Sequence, residues 1–193
     1  MTEHDAFAER ARALEEEYFH RKQKELVEMM RRVSAADQTR RDLSDRTGLH
    51  DPEMLRELEA LGFTPETVNL LPVMPVLEMA WASGSVTDAE RTLVVRFARS
   101  RGVAEGSVAD SQLTQMLEDH PSSDVFTRAR HLVHAMLTVG GHTAGTLSPD
   151  ELVAYCEAVA SASGGILGLH RVSADERALL TTIAAEFKKQ NQP

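Results

Sequence analysis

The stretch VTDAERTLVVRFA, residues 86–98, is matched 86 positions later by VSADERALLTTIA, residues 172–184. Each copy opens with a hydroxyl side chain followed three residues later by glutamate: Thr87 with Glu90, and Ser173 with Glu176. This spacing is that of a capping box, in which the hydroxyl and the carboxylate each accept a hydrogen bond from the other residue's backbone N–H. Apolar residues then recur at helical spacing, so each copy predicts the beginning of an amphipathic helix.

A run of small residues precedes each copy, AWASG at 80–84 and ASASG at 160–164. Small residues followed by glycine are typical of a helix end and a turn, so each copy predicts a helix–turn–helix unit. One such unit cannot bury its apolar faces alone, whereas two packed face to face can. We therefore expect two related helical pairs packed in one domain, over residues 64–190.

Similar local signals divide the rest of the chain into helices. Gly48 and Gly62 stand where helices end, and Pro121 marks a further break. No alternating run bounded by hairpin turns is present, so no strand is predicted. The expected fold is all-α with about eight helices. The predicted helix starts are Asp51-Pro52, Thr64-Pro65-Glu66, Ser107, Ser122 or Ser123, and Ser148-Pro149-Asp150-Glu151.

The first 50 residues predict a long charged helical arm without proline before its end at Gly48. Its apolar residues follow one narrow stripe that shifts along the helix, which is typical of a helix that packs on one side only. The stripe must be covered by a partner protein, by another copy of the chain or by the repeat domain itself. We expect 1–50 to be the arm, 51–63 a short connecting helix and 64–193 the repeat domain. The stripe consists of Phe7, Ala11, Leu14 and Tyr18, then Phe19, Leu26, Met30 and Val33.

Composition narrows the class of partner and the location. The net charge is −9, so the chain lacks the cluster of basic residues with which proteins bind nucleic acid or an anionic lipid surface. A single cysteine, Cys156, excludes a disulfide within the chain and a zinc site made of cysteines. The first residues are charged, unlike a signal peptide, and the most apolar stretch, 68–82, contains two prolines and Glu78. We expect a cytoplasmic protein without membrane insertion, although a protein partner can hold it at a membrane.

Several residues are candidates for a chemical site. Asp88, Glu90, Asp175 and Glu176 suit metal ligands, but acids in a first helical turn also cap and complement the helix dipole. His131 and His134 share a helix face, with His142 beyond Gly140-Gly141, and are interpreted as structural rather than as a metal or pH-sensing site.

The sequence around the remaining candidate residues also favours structural roles. Glu17 and His20 form one E-x-x-H without the second copy that a di-iron bundle needs. Cys156 lies in an apolar helix and is predicted to be a buried thiol. Trp81, with Met74 and Met79, is predicted to be core; an open face there would instead form a partner groove. The glycine pairs 140–141 and 164–165 predict turns, and no catalytic, cofactor or metal residue is assigned.

The segments EMAWASGSVTDAERTLVVRFARSRGV, 78–103, and GGILGLHRVSADERALL, 164–180, resemble the TerB-like family, named for tellurite resistance. The resemblance covers about residues 65–190. It implies an all-helical fold of two related halves, a role in bacterial stress resistance and membrane-associated complexes, and a divalent cation bound by acidic residues around the motif. Ser83 and Ser163 stand at the motif's acidic positions, so we do not expect an inherited metal site.

The arm segment AFAERARALEEEYFHRKQKELVEMMRR, 6–32, resembles the start of the zeta-type inhibitor subunits of bacterial ATP synthases. The leading hypothesis is a non-enzymatic interaction or scaffold protein of a bacterial stress-resistance or envelope-associated assembly. Two alternatives stay open: a divalent-cation sensor, and a regulator of a rotary ATPase acting through the N-terminal helix. A metal-dependent enzyme is the least favoured class, because no nucleophile–base pair or complete ligand set is visible.

Overall fold

The computed structural model describes residues 3–139, 147–162 and 172–188, with side chains described from residue 15 to residue 187 within these ranges. This part of the chain forms eight α-helices, one 3-10 helix and no strand, which confirms the all-α prediction. The chain divides into two compact units, Met1–Arg41 and Asp42–Pro193. The helices are α1 Glu3–Thr47, α2 Pro52–Ala60, a 3-10 helix Val68–Val73, α3 Met74–Trp81, α4 Asp88–Ser100, α5 Val108–Glu118, α6 Ser123–Val139, α7 Pro149–Ala162 and α8 Ala174–Lys188.

Most of the predicted helix ends are confirmed, because local contacts decide them. Gly48 takes a positive φ of 73°, and its N–H donates to the Ser44 carbonyl at 2.8 Å, which ends α1. Gly62 does the same after α2, with a φ of 82°. The hydroxyls or carboxylates at three helix starts accept the expected N–H bonds: Asp51 from Glu53 at 2.8 Å, Ser107 from Asp110 at 3.1 Å, and Ser148 from Glu151 at 3.0 Å.

The helix predicted to begin at Thr64 is wrong. Residues 64–67 form a turn, in which the Thr64 N–H donates to the Thr67 hydroxyl at 3.0 Å. The chain continues as the 3-10 helix, and α3 begins only at Met74. Pro72 has no N–H to donate to the carbonyl of Val68, which disfavours an α-helix there. Pro75 is tolerated because it lies in the first turn of α3.

The core of the second unit surrounds α3. This helix is buried along most of its length and packs against α4, α6, α7 and α8. Leu43 from the end of α1 and Leu58 from α2 are also fully buried in this core. No helix in the described part of the chain is long and apolar enough to span a membrane. The boundaries at residues 50 and 63, and the packing of two related helical pairs in one domain, stay predictions.

Trp81 closes one end of α3. Its indole N–H donates to the Met116 carbonyl at 3.0 Å, and its ring meets His120 edge-on at 4.8 Å. Met74 and Met79 are fully buried. The prediction of core residues is confirmed for Met74 and Met79, while Trp81 is partly buried and packs against this core. Because both methionines are fully buried, the alternative of an open groove formed by Trp81 with them is wrong.

Candidate functional site

Both copies of the opening motif form caps. At α4, the Thr87 N–H and hydroxyl donate to Glu90 Oε2 at 2.7 and 2.8 Å, and the Glu90 N–H donates to the Thr87 hydroxyl at 3.3 Å. At α8, the Ser173 N–H donates to the Glu176 carboxylate, and the Glu176 N–H donates to the Ser173 hydroxyl at 3.1 Å. The hydrogen bonds thus give these glutamates a structural role at the helix starts.

The two capping glutamates are also buried, which the sequence did not show. Glu90 is 0% exposed and Glu176 is 1% exposed, whereas Asp88 and Asp175 are exposed. Burial raises the pKa of Glu90; hydrogen bonds from Thr87 oppose this, and the negative charge of Glu176 adds to it. Oxygen Oε1 of Glu90 is buried without a hydrogen-bond partner. The two carboxylates therefore lie close enough to interact electrostatically.

A groove of about 620 Å³ lies between α6 and α8. Beside it, Arg130 of α6 pairs with Glu78 of α3 and, through Nε at 3.0 Å, with Glu186 of α8. Burial raises the pKa of Glu78, although the hydrogen bond and charge of Arg130 lower it. Residues lining the groove are Thr127, Arg130, His131, His134, Thr181, Thr182, Ala185 and Glu186.

The groove's polar groups are mostly engaged within the protein. The hydroxyls of Thr127, Thr181 and Thr182 donate to carbonyls one turn earlier in their own helices, at 2.8–3.0 Å. The His134 ring stacks on Phe187 with centroids 6.4 Å apart. Arg130 is neutralised by its two carboxylates, so the groove offers no free cation from this residue to an anionic ligand. His142, the third histidine of the predicted cluster, lies outside the described residues, as does Ser163.

Among the described residues, no group of three or more His, Cys, Asp or Glu side chains is arranged to hold a metal ion. Glu17 and His20 are exposed on α1. Ser83 is exposed too, and its hydroxyl donates to the Ser85 carbonyl at 3.2 Å. Cys156 is 0% exposed, and burial raises the pKa of its thiol to about 12, which confirms the prediction of a buried core thiol.

Exposed large hydrophobic side chains are concentrated on the first unit. Among the residues whose side chains the structure describes, seven of the nine exposed large hydrophobic residues lie on α1 between Tyr18 and Val33, each 46–64% exposed. At 3.6 residues per turn, six of them fall within an arc of about 120°. We call these six the arm stripe: Tyr18, Phe19, Leu26, Met29, Met30 and Val33.

The sequence predicted most of the arm stripe. Phe19, Leu26, Met30 and Val33 were expected on one face, and all four are exposed there. Met29 was missed, although its spacing of three residues from Leu26 and four from Val33 is the same helical signal. Phe7, Ala11 and Leu14 lie in the part of α1 whose side chains are not described.

The chain matches no family model, no curated protein and no solved structure. The resemblances to the TerB-like family and to the zeta-type subunits therefore remain predictions from their motifs.

Proposed function

We propose that this chain is a non-enzymatic interaction protein, in which the arm stripe of α1 attaches a compact helical domain to an assembly. The observation that carries the proposal is the concentration of exposed apolar side chains on one face of one helix. Single apolar residues scattered over a protein surface are ordinary. A contiguous apolar face on a helix whose other faces are charged instead indicates a surface that a partner covers. The TerB-like resemblance suggests that the assembly belongs to bacterial stress resistance.

The geometry of the stripe suits a helix-to-helix contact. Its residues recur at spacings of three and four from Leu26 to Val33, and Phe19 lies seven residues before Leu26, which is the pattern of anchors that a facing helix or groove receives. Covering a large apolar side chain fully contributes about 1.5–3 kcal/mol, and these side chains are about half exposed. Each is thus expected to contribute about 1 kcal/mol to an association.

Site-specific photocrosslinking in cells tests the proposal. A photoreactive phenylalanine analogue is placed at Phe19, within the stripe, or at Lys24, on the opposite face of α1. We expect protein adducts from position 19 and few from position 24, with the adduct identified by mass. The variant Leu26→Gln/Met29→Gln should reduce the adduct at position 19 by about tenfold or more, because it removes about 2 kcal/mol of contact.

Val27→Gln is the matched control for this experiment. Val27 is 46% exposed, similar to Leu26 at 55%, and lies on the same turn but outside the arc of the stripe. It should leave the adduct unchanged. If positions 19 and 24 give equal adducts, or if Val27→Gln acts like the double variant, the arm stripe is not the interaction surface and the proposal fails.

A divalent-cation sensor is a second candidate, supported by the unpartnered oxygen of Glu90 beside the charge of Glu176. Two carboxylates supply only part of the six to eight oxygen ligands that calcium prefers. Calorimetry and thermal unfolding with calcium, magnesium and zinc test it. Binding heat that Glu90→Gln removes would support the sensor, and the absence of heat and of a thermal shift at millimolar metal would reject it.

Regulation of a rotary ATPase through α1 is the third candidate and rests on the arm's resemblance alone. It predicts that the full chain inhibits ATP hydrolysis by the ATP synthase of the same organism. Inhibition should fall in Leu26→Gln/Met29→Gln, while an enzyme that hydrolyses ATP at the same rate with and without the chain would end this hypothesis.

A further inference from the structure

We propose that the arm stripe is covered by the same helix of a second copy of this chain, with the two α1 helices antiparallel and crossing near residue 24. This inference rests on the proposed function, since it names the partner of the same surface. Three observations carry it: the position of the stripe, the heptad spacing within it, and the distribution of charge along α1.

Charge along the first unit is split between its two parts. Residues 3–17 contain six acidic and two basic side chains, so their net charge is −4. Residues 18–41 contain seven basic and three acidic side chains, so their net charge is +4. The two parts lie on one continuous helix and therefore cannot pair with each other within it. Another copy with the opposite direction presents the complementary charge to both parts at once.

The central part of the helix carries a seam suited to helix pairing. Phe19, Leu26 and Val33 are separated by seven residues each, and Met29 takes the intermediate position between the last two. Repetition every seven residues, with a second position three or four residues on, is the pattern of a two-helix coiled coil. Lys22 occupies the other intermediate position, and a single polar residue in a seam limits the registers that pair well.

Register follows from placing the charges and the seam together. With the crossing near residue 24, Phe19 of one copy faces Met29 of the other, and Lys22 faces Leu26, so its charged end can reach the helix edge. The acidic part of one copy, up to residue 17, then runs alongside the basic part of the second copy from residue 31 onward. This contact occurs twice, once at each side of the crossing.

A parallel pair satisfies the seam but not the charges. It places two parts of net charge −4 beside each other and two parts of +4 beside each other, and like charges at coiled-coil edges oppose pairing. The antiparallel direction converts both repulsions into attractions. The same complementarity makes a second copy a better occupant than an unrelated apolar helix, whose charges have no reason to follow this split.

Sedimentation equilibrium of the full chain tests the association. We expect a monomer–dimer equilibrium that weakens as salt rises, because exposed ion pairs are screened. Glu16→Arg/Glu17→Arg and Arg31→Glu/Arg32→Glu should each weaken the dimer by about threefold or more at low salt, since each variant removes the net charge of one of the two parts. An equal mixture of the two variants should restore part of the association, because the unaltered basic part of the first variant then meets the unaltered acidic part of the second. Leu26→Gln/Met29→Gln should abolish it, with Val27→Gln as the unaffected control.

Pulsed electron paramagnetic resonance on the dimer tests the direction. Spin labels at Gln23→Cys or Ala35→Cys lie outside the seam, and the buried Cys156 should not take up label. With a rise of 1.5 Å per residue, antiparallel helices crossing at residue 24 separate the two labels along the axis by about 3 Å at position 23 and about 33 Å at position 35. Parallel helices give similar short distances at both positions.

The outcomes separate this inference from the proposed function. A chain that stays monomeric at submillimolar concentration, a dimer indifferent to the charge variants, or equal short distances at positions 23 and 35 would each overturn the antiparallel pair. If the chain is monomeric but photocrosslinks through position 19 to a different protein, the proposed function stands and this inference alone fails. An adduct of twice the chain's mass from position 19, together with the long distance at position 35, supports both.

Discussion

Replacing Arg130 by methionine should strongly destabilise the second unit. The guanidinium pairs with Glu78, whose side chain is 15% exposed, and with Glu186, whose side chain is 41% exposed. Water can solvate Glu186 after the change, but Glu78 would be left as a buried carboxylate, and its Oε2 already has no hydrogen-bond partner. Removing one partner of a buried ion pair costs about 3–5 kcal/mol, a large part of the 5–15 kcal/mol by which domains are stable.

A double-mutant cycle separates the lost charge from lost packing. Arg130→Met/Glu78→Leu leaves no buried unpaired charge and roughly conserves volume, so it should reduce the free energy of unfolding clearly less than Arg130→Met alone, by about 2 kcal/mol or more. Arg128→Met is the control on the same helix. Arg128 also contacts two carboxylates, Glu57 at 3.0 Å and Asp124 at 3.5 Å, but it is 35% exposed, so its loss should cost at most about 1 kcal/mol.

The pH dependence gives an independent check. Burial raises the pKa of Glu78, and the loss of Arg130 should raise it further. The folded variant therefore favours the protonated form of Glu78. Its loss in free energy of unfolding is largest above the pKa of Glu78 in the folded variant, and it becomes smaller as the pH falls from 7 towards about 4.3, the pKa of an unperturbed glutamate. Urea unfolding followed by circular dichroism measures these free energies. A cost below about 1 kcal/mol for Arg130→Met, or a double variant no better than the single one, would refute the buried-charge argument.

Three further changes test other parts of the second unit. Glu90→Gln should change the free energy of unfolding at pH 7 by less than about 1 kcal/mol, because glutamine also closes a capping box, whereas Glu90→Ala should cost about 1–2 kcal/mol. Burial raises the pKa of Glu90, so stability should increase as the pH falls from 7, and Glu90→Gln should reduce that increase in urea titrations. Cys156 should resist a thiol reagent at pH 8 in the folded chain and react fully in concentrated urea, since burial raises its pKa to about 12; equal rates would contradict its burial. Gly62→Ala should lower the free energy of unfolding by about 1 kcal/mol. The cause is backbone strain at φ 82° and not a clash, since a Cβ there meets nothing within 4 Å. Gly62→Asn should lower it less because asparagine tolerates this conformation, and equal losses in thermal unfolding would contradict that reason.

The arm stripe shows how much of the candidate site could be predicted. Its exposed members recur at helical spacing within a charged segment, so the helix and its apolar face follow from residues three and four positions apart. The exposure of this face could not be predicted, because an identical pattern is buried when a neighbouring element covers it. The division of charge along α1 is present in the sequence as well. It indicates pairing with a second copy only because residues 3–41 form one uninterrupted helix, whose two parts cannot pair with each other.

The sequence by itself determined the features that act within about one turn. Thr87 and Ser173 cap α4 and α8, and Gly48 and Gly62 end helices, because each contact joins residues at most four or five positions apart. The tertiary structure alone decided which charges lie in the interior. Glu78 and Arg130 are 52 positions apart, and their pairing depends on α3 and α6 packing together. Likewise, a capping glutamate has the same sequence signature on an exposed helix and a buried one. Only the packing around Glu90 and Glu176 removes water from their carboxylates and raises the pKa of Glu90.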